Sequence, residues 1–163
     1  MCGFFTNIRG IAIDYMHCVI IGVVNMHATL WFDKLHKQEI FSISTRVTEV
    51  GQRLLSIKPP SYIARLPRSL SEITLFKAAG LMNFLLFYSF PCLIGILPQD
   101  QFYHFSRSWC MPHTFFRKKS LPRTLMLMEF VINIPALYGE RYSNSNVHLL
   151  LHLTDRVADV GHL

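Results

Sequence analysis

Apolar residues recur at helical spacing along most of the chain. Residues 15–32 form the first apolar run, which follows a natural N-cap at Asp14 and ends near Asp33. Because the run is apolar on nearly all sides, it predicts a helix that is buried over most of its surface. Residues 11–13 before it predict a short strand or an extended entry to the helix.

A second apolar pattern predicts an amphipathic helix with one face towards the core. Its apolar residues recur at intervals of three or four positions: Ile43, Val47, Val50 and Leu54. Arg46, Glu49 and Arg53 lie on the other faces of this helix. Pro59 and Pro60 end the helix because proline has no amide hydrogen to donate.

A basic, proline-rich connector divides the chain, which is short enough to form one domain. The connector covers residues 58–69 and separates an entry region at residues 11–57 from a helical lobe at residues 70–163. Ser69 and Glu72 have the spacing of a capping box, which predicts that the next helix begins there.

Residues 78–97 include no formal charge over 20 positions, about the length that crosses the hydrocarbon core of a bilayer. Two structures fit this stretch. One is a membrane-spanning helix, and the other is a buried core helix followed by a turn at Pro91. The polar side chains of Asn83 and Tyr88, together with the proline, favour the buried helix.

Prolines are expected to divide the second half of the chain. Pro112 and Pro122 interrupt residues 101–123, so this segment predicts an exposed basic loop. The alternative is a nucleic-acid-binding platform, in which Arg117–Lys119 supply charge and Phe115 and Phe116 stack on bases. Residues 125–134 predict a helix that ends at Pro135.

The pattern closes with one further helix at residues 147–160, and Asn146 is predicted to be its N-cap. In all, the chain predicts five to six helices and little strand. We therefore expect a mainly α fold.

Composition excludes a disordered chain but leaves two kinds of folded protein open. Hydrophobic residues make up 51% and charged residues only 16% of the chain, whereas soluble domains have about 25% charged residues. Such a composition suits a membrane protein, or a part of a larger fold whose apolar faces contact other parts.

Positive charge is concentrated in the middle of the chain. Residues 58–123 contain nine Lys or Arg against two acids, while the flanks contain seven against eight. A one-sided basic surface suits DNA or an anionic membrane, and a solvated basic face without a partner is the alternative. The residues expected to contact DNA are Lys58, Arg65, Arg68, Arg117, Lys118, Lys119 and Arg123.

The cysteines predict a reduced, intracellular setting. The chain has four, at Cys2, Cys18, Cys92 and Cys110, without a C-x-x-C pair or a visible signal peptide. Cys18 and Cys92 lie in apolar runs, where a free cysteine packs as a small hydrophobic residue.

Two pairs of residues have the spacing of metal ligands. Asp14 and His17 are three residues apart, and His148 and His152 are four apart, so each pair shares one helix face. If the two ends of the chain meet, the four side chains supply enough ligands for a tetrahedral zinc ion. Alternatively, Asp14 is only an N-cap and His152 is a core histidine among leucines.

The common catalytic motifs are absent from the sequence. It has no glycine-rich phosphate loop, no G-x-S-x-G motif and no H-E-x-x-H motif. Its ten acidic residues are scattered, so local spacing assembles no pair of catalytic carboxylates.

The most distinctive motif is DYMHCVIIGVV at residues 14–24. This motif and a series of later stretches resemble CACTA-type (EnSpm-like) DNA transposases and their relatives in animal genomes. The later stretches are FSIS (41–44), RLLSIKPP (53–60), RLPR (65–68), LLFYS (85–89), PCL (91–93), GILP (95–98), LYGER (137–141) and NVHLLLHL (146–153).

The resemblance implies an RNase H-like nuclease core that is interrupted by a helical insertion, and most of this chain would be that insertion. In the family, two Asp and one Glu hold two divalent ions that activate water and then a DNA 3′-hydroxyl. In related transposases a C/D-x-x-H motif and a later H-x-x-x-H-type motif bracket the insertion. The matching residues here are Asp14, His17, His148 and His152. They would act as zinc ligands or as a polar cluster that holds the two ends of the insertion together.

The chain departs from the family in its carboxylates. The upstream strands with an earlier catalytic Asp have no counterpart before Met1, and the catalytic Glu is expected beyond the last helix. Asp14 is the one candidate catalytic residue, so Mg²⁺ is expected only in a complete family member. Residues 109–128 also depart from the family's smooth helical pattern.

These observations predict a fragment of a DNA transposase-like protein, located in the nucleus, that is catalytically incomplete and binds DNA non-specifically. Its other partner would be the remainder of a transposase core or a second copy of the chain. The alternatives are a small membrane protein anchored by residues 78–97 and a non-functional remnant that exposes apolar faces.

Overall fold

The structure, a computed structural model, describes residues 16–58, 70, 76–115 and 121–160. Helix makes up 81% of the described residues, and no strand occurs among them, so the predicted mainly α class is confirmed. The strand predicted at residues 11–13 and the capping box at Ser69 and Glu72 lie outside the described residues, as does most of the 58–69 connector.

Six helices, α1 to α6, follow one another along the described chain. Helix α1 has π-helical turns at Met16–Val24 and continues as α-helix over Asn25–Phe32, and α2 covers Val47–Ser56. Helix α3 joins Ala78–Asn83, a π-helical Phe84–Tyr88 and Ser89–Leu93. The last three are α4 at Gln99–Phe115, α5 at Leu121–Tyr138 and α6 at Ser145–Val160. Short 3₁₀ turns lie at Lys34–His36, Ser44–Arg46 and Glu140–Tyr142.

The uncharged stretch at residues 78–97 is a core helix and a turn. Helix α3 buries Leu81, Phe84 and Leu85 almost completely, and the chain turns after Leu93. The turn therefore comes after Pro91, which lies inside the helix, and Gly95 takes the positive φ of 70° that the turn requires. None of the described helices is both long enough and apolar enough to cross a membrane.

Two of the predicted proline breaks are wrong. Helix α4 runs through Pro112, and α5 runs through Pro135 to Tyr138. A proline inside a helix costs about 3 kcal/mol or more. Ile134 and Tyr138 are buried on either side of Pro135, so their packing offsets this cost.

Pro122 lies where a helix tolerates proline. It is the second residue of α5, where the amide hydrogen would have no helical acceptor. The segment predicted as an exposed basic loop is therefore helical over Gln99–Phe115 and again from Leu121, and only residues 116–120 lie outside the described part.

The predicted cap of the last helix is also wrong. Helix α6 begins at Ser145, and the backbone amide of Val147 donates to Asn144 Oδ1 over 3.1 Å. Asn144 is therefore the N-cap. Asn146 instead lies in the first turn and contacts α1.

The core is centred on large aromatic side chains from several helices. Trp31 of α1 is fully buried, and its ring meets that of Phe105 of α4 edge-on at 4.8 Å. Phe130 of α5 is also fully buried. Helices α4 and α5 pack against each other, and α6 packs against both α5 and the start of α1. This arrangement brings the first and last described helices together.

Candidate functional site

The first and last described helices meet at a close backbone approach. The Cys18 thiol donates to the Asn146 carbonyl over 3.3 Å, although the two residues are 128 positions apart in sequence. A Cβ atom added to Gly22 would lie only 2.8 Å from the Asn146 side chain. Asn144 Nδ2 also reaches Met26 Sδ at 3.8 Å. We call these contacts between α1 and the start of α6 the helix junction.

The Cys18 thiol at the helix junction is a structural donor and not a reactive thiolate. Burial raises its pKa to about 11, so it stays protonated near neutral pH and remains a donor to the Asn146 carbonyl. Cys18 and Cys92 are both buried and free, as their apolar sequence surroundings predict.

The H-x-x-x-H pair forms as predicted on one face of α6. The ring centroids of His148 and His152 are 5.4 Å apart, with His148 exposed and His152 half-buried. His17 is exposed in the first turn of α1, and Asp14 lies outside the described residues. Two imidazoles supply half of the ligands of a tetrahedral zinc ion.

The described residues do not complete this metal site. Over residues 16–58, 70, 76–107 and 125–152, no three or more His, Cys, Asp or Glu side chains form a group that could hold a metal ion. The predicted set of Asp14, His17, His148 and His152 therefore stays a prediction, and the structure contributes the His148–His152 pair to it.

Most of the basic residues expected to contact DNA lie outside the described part. Lys58 is exposed just after α2, and Arg123 lies in the first turn of α5. Outside the described residues are Arg65, Arg68, Arg117, Lys118 and Lys119.

Several other arginines are paired with the protein's own acids. Arg46 and Arg53 hold Glu49 between them at 2.7 and 3.2 Å. The same two guanidinium groups donate to the backbone carbonyls of the turn after α3, including Arg53 Nη1 to the Ile94 carbonyl at 2.6 Å. These arginines hold α2 against that turn, and their charge is used within the fold.

Two further acids are also paired. Arg107 lies 3.3 Å from a Glu129 oxygen, and Arg141 lies 3.6 Å from a Glu39 oxygen. Because these side chains are largely exposed, each pair contributes only about 0–1 kcal/mol to stability.

A buried cluster of polar rings, not predicted from the sequence, lies at the centre of the fold. We call it the ring cluster, and it consists of His27, Trp31, His104 and Tyr138. All four side chains are at most 4% exposed. The His27 centroid is 5.3 Å from Trp31, 5.8 Å from His104 and 5.1 Å from Tyr138.

The hydrogen bonds of the ring cluster determine the form of each histidine. His27 Nδ1 lies 2.8 Å from the Val23 carbonyl, and His104 Nε2 lies 2.9 Å from the Phe130 carbonyl. A carbonyl oxygen only accepts, so each of these nitrogens carries a hydrogen. The remaining nitrogen of each neutral ring is then an acceptor.

Burial keeps both histidines of the ring cluster neutral. It lowers the pKa of His27 to about 3, which His104 reinforces and the Val23 carbonyl opposes. Burial also lowers the pKa of His104 to about 4, which the Phe130 carbonyl opposes and the Arg107 charge reinforces. Burial raises the pKa of Tyr138, and the Trp31 indole beside it opposes that shift. All four rings are therefore uncharged near neutral pH.

Comparison of the chain with models of protein families, with curated proteins and with solved structures finds no match. The class that the fold defines is thus a helical protein whose first and last described helices pack together. The particular family indicated by the DYMHCVIIGVV motif, the CACTA-type transposases, remains a prediction from the sequence.

Proposed function

We propose that this chain is a helical insertion of a transposase-like protein and that it binds DNA through non-specific charge contacts. The observation that carries the proposal is the helix junction. An inserted lobe leaves and re-enters its host domain at neighbouring points, so its first and last elements are expected to lie side by side. The Cys18–Asn146 hydrogen bond and the close approach at Gly22 meet this requirement.

The charge distribution supports DNA as the partner. The excess of positive charge lies in residues 58–123, which hold nine basic residues against two acids. Glu49, Glu129 and Glu39 are each paired with an arginine, so they repel a polyanion less than free carboxylates would. Contacts between basic side chains and phosphates give affinity without sequence preference.

We also propose that the chain does not cut or join DNA by itself. The family's reaction uses three carboxylates around two divalent ions, and Asp14 is the one candidate among them in this sequence. Incubation of supercoiled plasmid with purified protein and Mg²⁺ or Mn²⁺ should therefore produce no nicked product. Metal-dependent nicking that follows the protein through purification would contradict this part of the proposal.

DNA binding is tested by its dependence on salt. Fluorescence anisotropy with a labelled duplex of arbitrary sequence should give an affinity that falls on the order of 10³-fold between 50 and 200 mM salt if all seven predicted basic residues reach phosphates. A duplex of shuffled sequence should bind equally well. Affinity that is flat over this salt range would overturn the proposal.

A matched pair of double variants locates the contact. Lys118→Gln with Lys119→Gln removes two charges from the predicted DNA surface, and Lys34→Gln with Lys37→Gln removes two exposed charges from a flank. Because each phosphate contact contributes about 0.9 to the slope of log affinity against log salt, the first variant should lower the slope by about 2. The second should leave it nearly unchanged, and equal losses in both would indicate that only net charge matters.

A further inference from the structure

Four buried polar atoms in the ring cluster have no hydrogen-bond partner among the described residues. They are His27 Nε2, Trp31 Nε1, His104 Nδ1 and Tyr138 Oη. Their rings lie close together, since the His27 centroid lies within 5.8 Å of each of the other three centroids and the His104 centroid lies 5.6 Å from that of Tyr138. A buried polar atom left unpaired costs about 1–3 kcal/mol, and native proteins rarely leave several together.

The four atoms divide evenly into donors and acceptors. His27 and His104 each have one hydrogen committed to a backbone carbonyl, which leaves an acceptor nitrogen on each ring. The Trp31 indole nitrogen only donates, and the Tyr138 hydroxyl has a hydrogen to donate. A water molecule complements this set because it donates two hydrogen bonds and accepts two.

We propose that the ring cluster is a binding site for one internal water molecule. The water donates to His27 Nε2 and His104 Nδ1 and accepts from the Trp31 indole and the Tyr138 hydroxyl. It thereby links α1, α4 and α5 at the centre of the core. Buried waters with three or four such bonds are integral parts of folded proteins.

Two alternatives to a bound water, a metal ion and direct pairing of the side chains, fit this set of donors and acceptors less well. A metal ion would have the two neutral imidazole nitrogens as ligands, fewer than the four that zinc takes, and the indole would direct a hydrogen at it. Direct pairing of the side chains is the second alternative. If the Trp31 indole, which lies close enough to the Tyr138 hydroxyl to lower its pKa, donates to that oxygen, the hydroxyl has one hydrogen left to donate. At least one of the acceptor nitrogens of His27 and His104 then still lacks a donor.

Water is detected directly by nuclear magnetic resonance on the wild-type protein. We expect a cross peak between the Trp31 indole proton and the water resonance in both NOE and rotating-frame experiments, with the opposite signs that mark dipolar contact rather than exchange. With ¹⁵N-labelled histidine, the unprotonated nitrogens of His27 and His104 should both show the upfield shift of a hydrogen-bond acceptor.

Two tyrosine variants separate the water site from direct pairing. Tyr138→Phe removes one of four partners, so the indole–water cross peak should persist while the urea midpoint falls. Tyr88→Phe is the matched control, because Tyr88 is also a buried tyrosine whose hydroxyl lacks a partner, and its ring lies beside Phe87. It should leave the ring-cluster signals unchanged.

The proposal fails if the resolved Trp31 indole proton shows no dipolar contact with water in the wild-type protein. It also fails if one equivalent of metal copurifies and is lost in both His27→Phe and His104→Phe, since the two nitrogens would then be metal ligands. The first readout needs no variant, so the outcome does not depend on whether a substituted core still folds.

Discussion

Two histidine pairs in this protein have similar ring separations and opposite surroundings. The rings of His27 and His104 lie 5.8 Å apart inside the core, and those of His148 and His152 lie 5.4 Å apart on α6. The buried pair is committed to backbone carbonyls and is kept neutral by desolvation. The α6 pair has one exposed ring, that of His148, and one half-buried ring, that of His152. The comparison shows that a short distance between two imidazole rings does not define their chemistry, because the buried pair is held neutral by desolvation whereas the α6 pair has one ring exposed to solvent.

Acidification should give the largest loss of stability, because it acts on the buried histidine pair. Neutral His27 and His104 have folded-state pKa values of about 3 and 4, below the unfolded value of about 6.5, so the unfolded chain binds more protons as the pH falls. Stability is therefore full above about pH 6.5 and is lost below it. Between pH 7.5 and pH 5 each histidine should lower the free energy of unfolding by about 2 kcal/mol, so the two together should lower it by roughly 4 kcal/mol.

Urea titrations at pH 7.5 and pH 5 measure this loss. His27→Phe and His104→Phe should each remove about half of the pH dependence, because each deletes one titrating group. Tyr88→Phe is the control, because it changes a buried ring without removing a histidine. A wild-type free energy of unfolding that stays level over this range would contradict the neutral core pair.

The helix junction provides the next largest expected effect. In Gly22→Ala the new methyl group would lie 2.8 Å from the Asn146 side chain, so α1 and α6 must move apart. We expect a loss of about 1–3 kcal/mol in the free energy of unfolding, as for other overpacked contacts. Gly51→Ala, with nothing within 4 Å of the added Cβ, should instead gain about 0.4–1 kcal/mol.

Chemical denaturation of the two alanine variants gives opposite signs if the junction is as close as described. Asn146→Gly in the Gly22→Ala background should restore part of the lost stability by removing the side chain that the methyl group meets. Equal behaviour of the two glycine sites would show that α1 and α6 do not approach closely.

The N-cap of α6 should give a smaller effect. Asn144→Ala removes the acceptor of the Val147 amide and should cost about 1 kcal/mol. Asn133→Ala, inside α5, is a matched control, since alanine has the higher helix propensity there and should be neutral or slightly stabilising. Thermal melts followed by circular dichroism suffice, and a larger loss in Asn133→Ala would argue against the assigned cap.

The α6 histidine pair should affect stability least and metal binding most. His148→Ala and His152→Ala should each change the free energy of unfolding by about 0.5 kcal/mol or less, as surface changes do. Each should weaken zinc binding by about tenfold or more, because half of the described ligand pair is lost. Isothermal titration with zinc and elemental analysis measure this, with His36→Ala as the control histidine.

The four-residue site indicated by the transposase resemblance has a separate readout. If Asp14 and His17 complete the coordination, Asp14→Ala and His17→Ala should weaken zinc binding as much as the changes on α6. Zinc binding that depends on His148 and His152 alone would restrict the site to the pair.

Periodicity predicted the helices well where local pattern and packing agree. The run at residues 15–32 and the stripe ending at Leu54 correspond to α1 and α2, and residues 78–97 form a core helix followed by a turn, as the favoured alternative predicted. The proline rules misjudged both α4 and α5. In α5 the packing of residues such as Ile134 outweighs one missing backbone hydrogen bond.

The candidate sites also differ in whether a local sequence pattern could predict them. The His148–His152 pair follows from helix geometry and was predicted from spacing alone. His27 and His104 are distant in sequence and sit among apolar residues, so no local pattern relates them. Asn146 was predicted as a cap because of its residue type, but its position is determined by contact with Gly22 on another helix. Local sequence patterns do not predict such long-range contacts.

The close approach at Gly22 has an evolutionary consequence. Because a single hydrogen atom at this position sets the separation of two helices, substitutions at positions 22 and 146 should be coupled during divergence. A relative that closes its lobe in the same way should keep glycine at the first position, or accept a larger residue there only with a smaller one at the second. That paired constraint offers a signature for recognising distant relatives after most of the remaining sequence has changed.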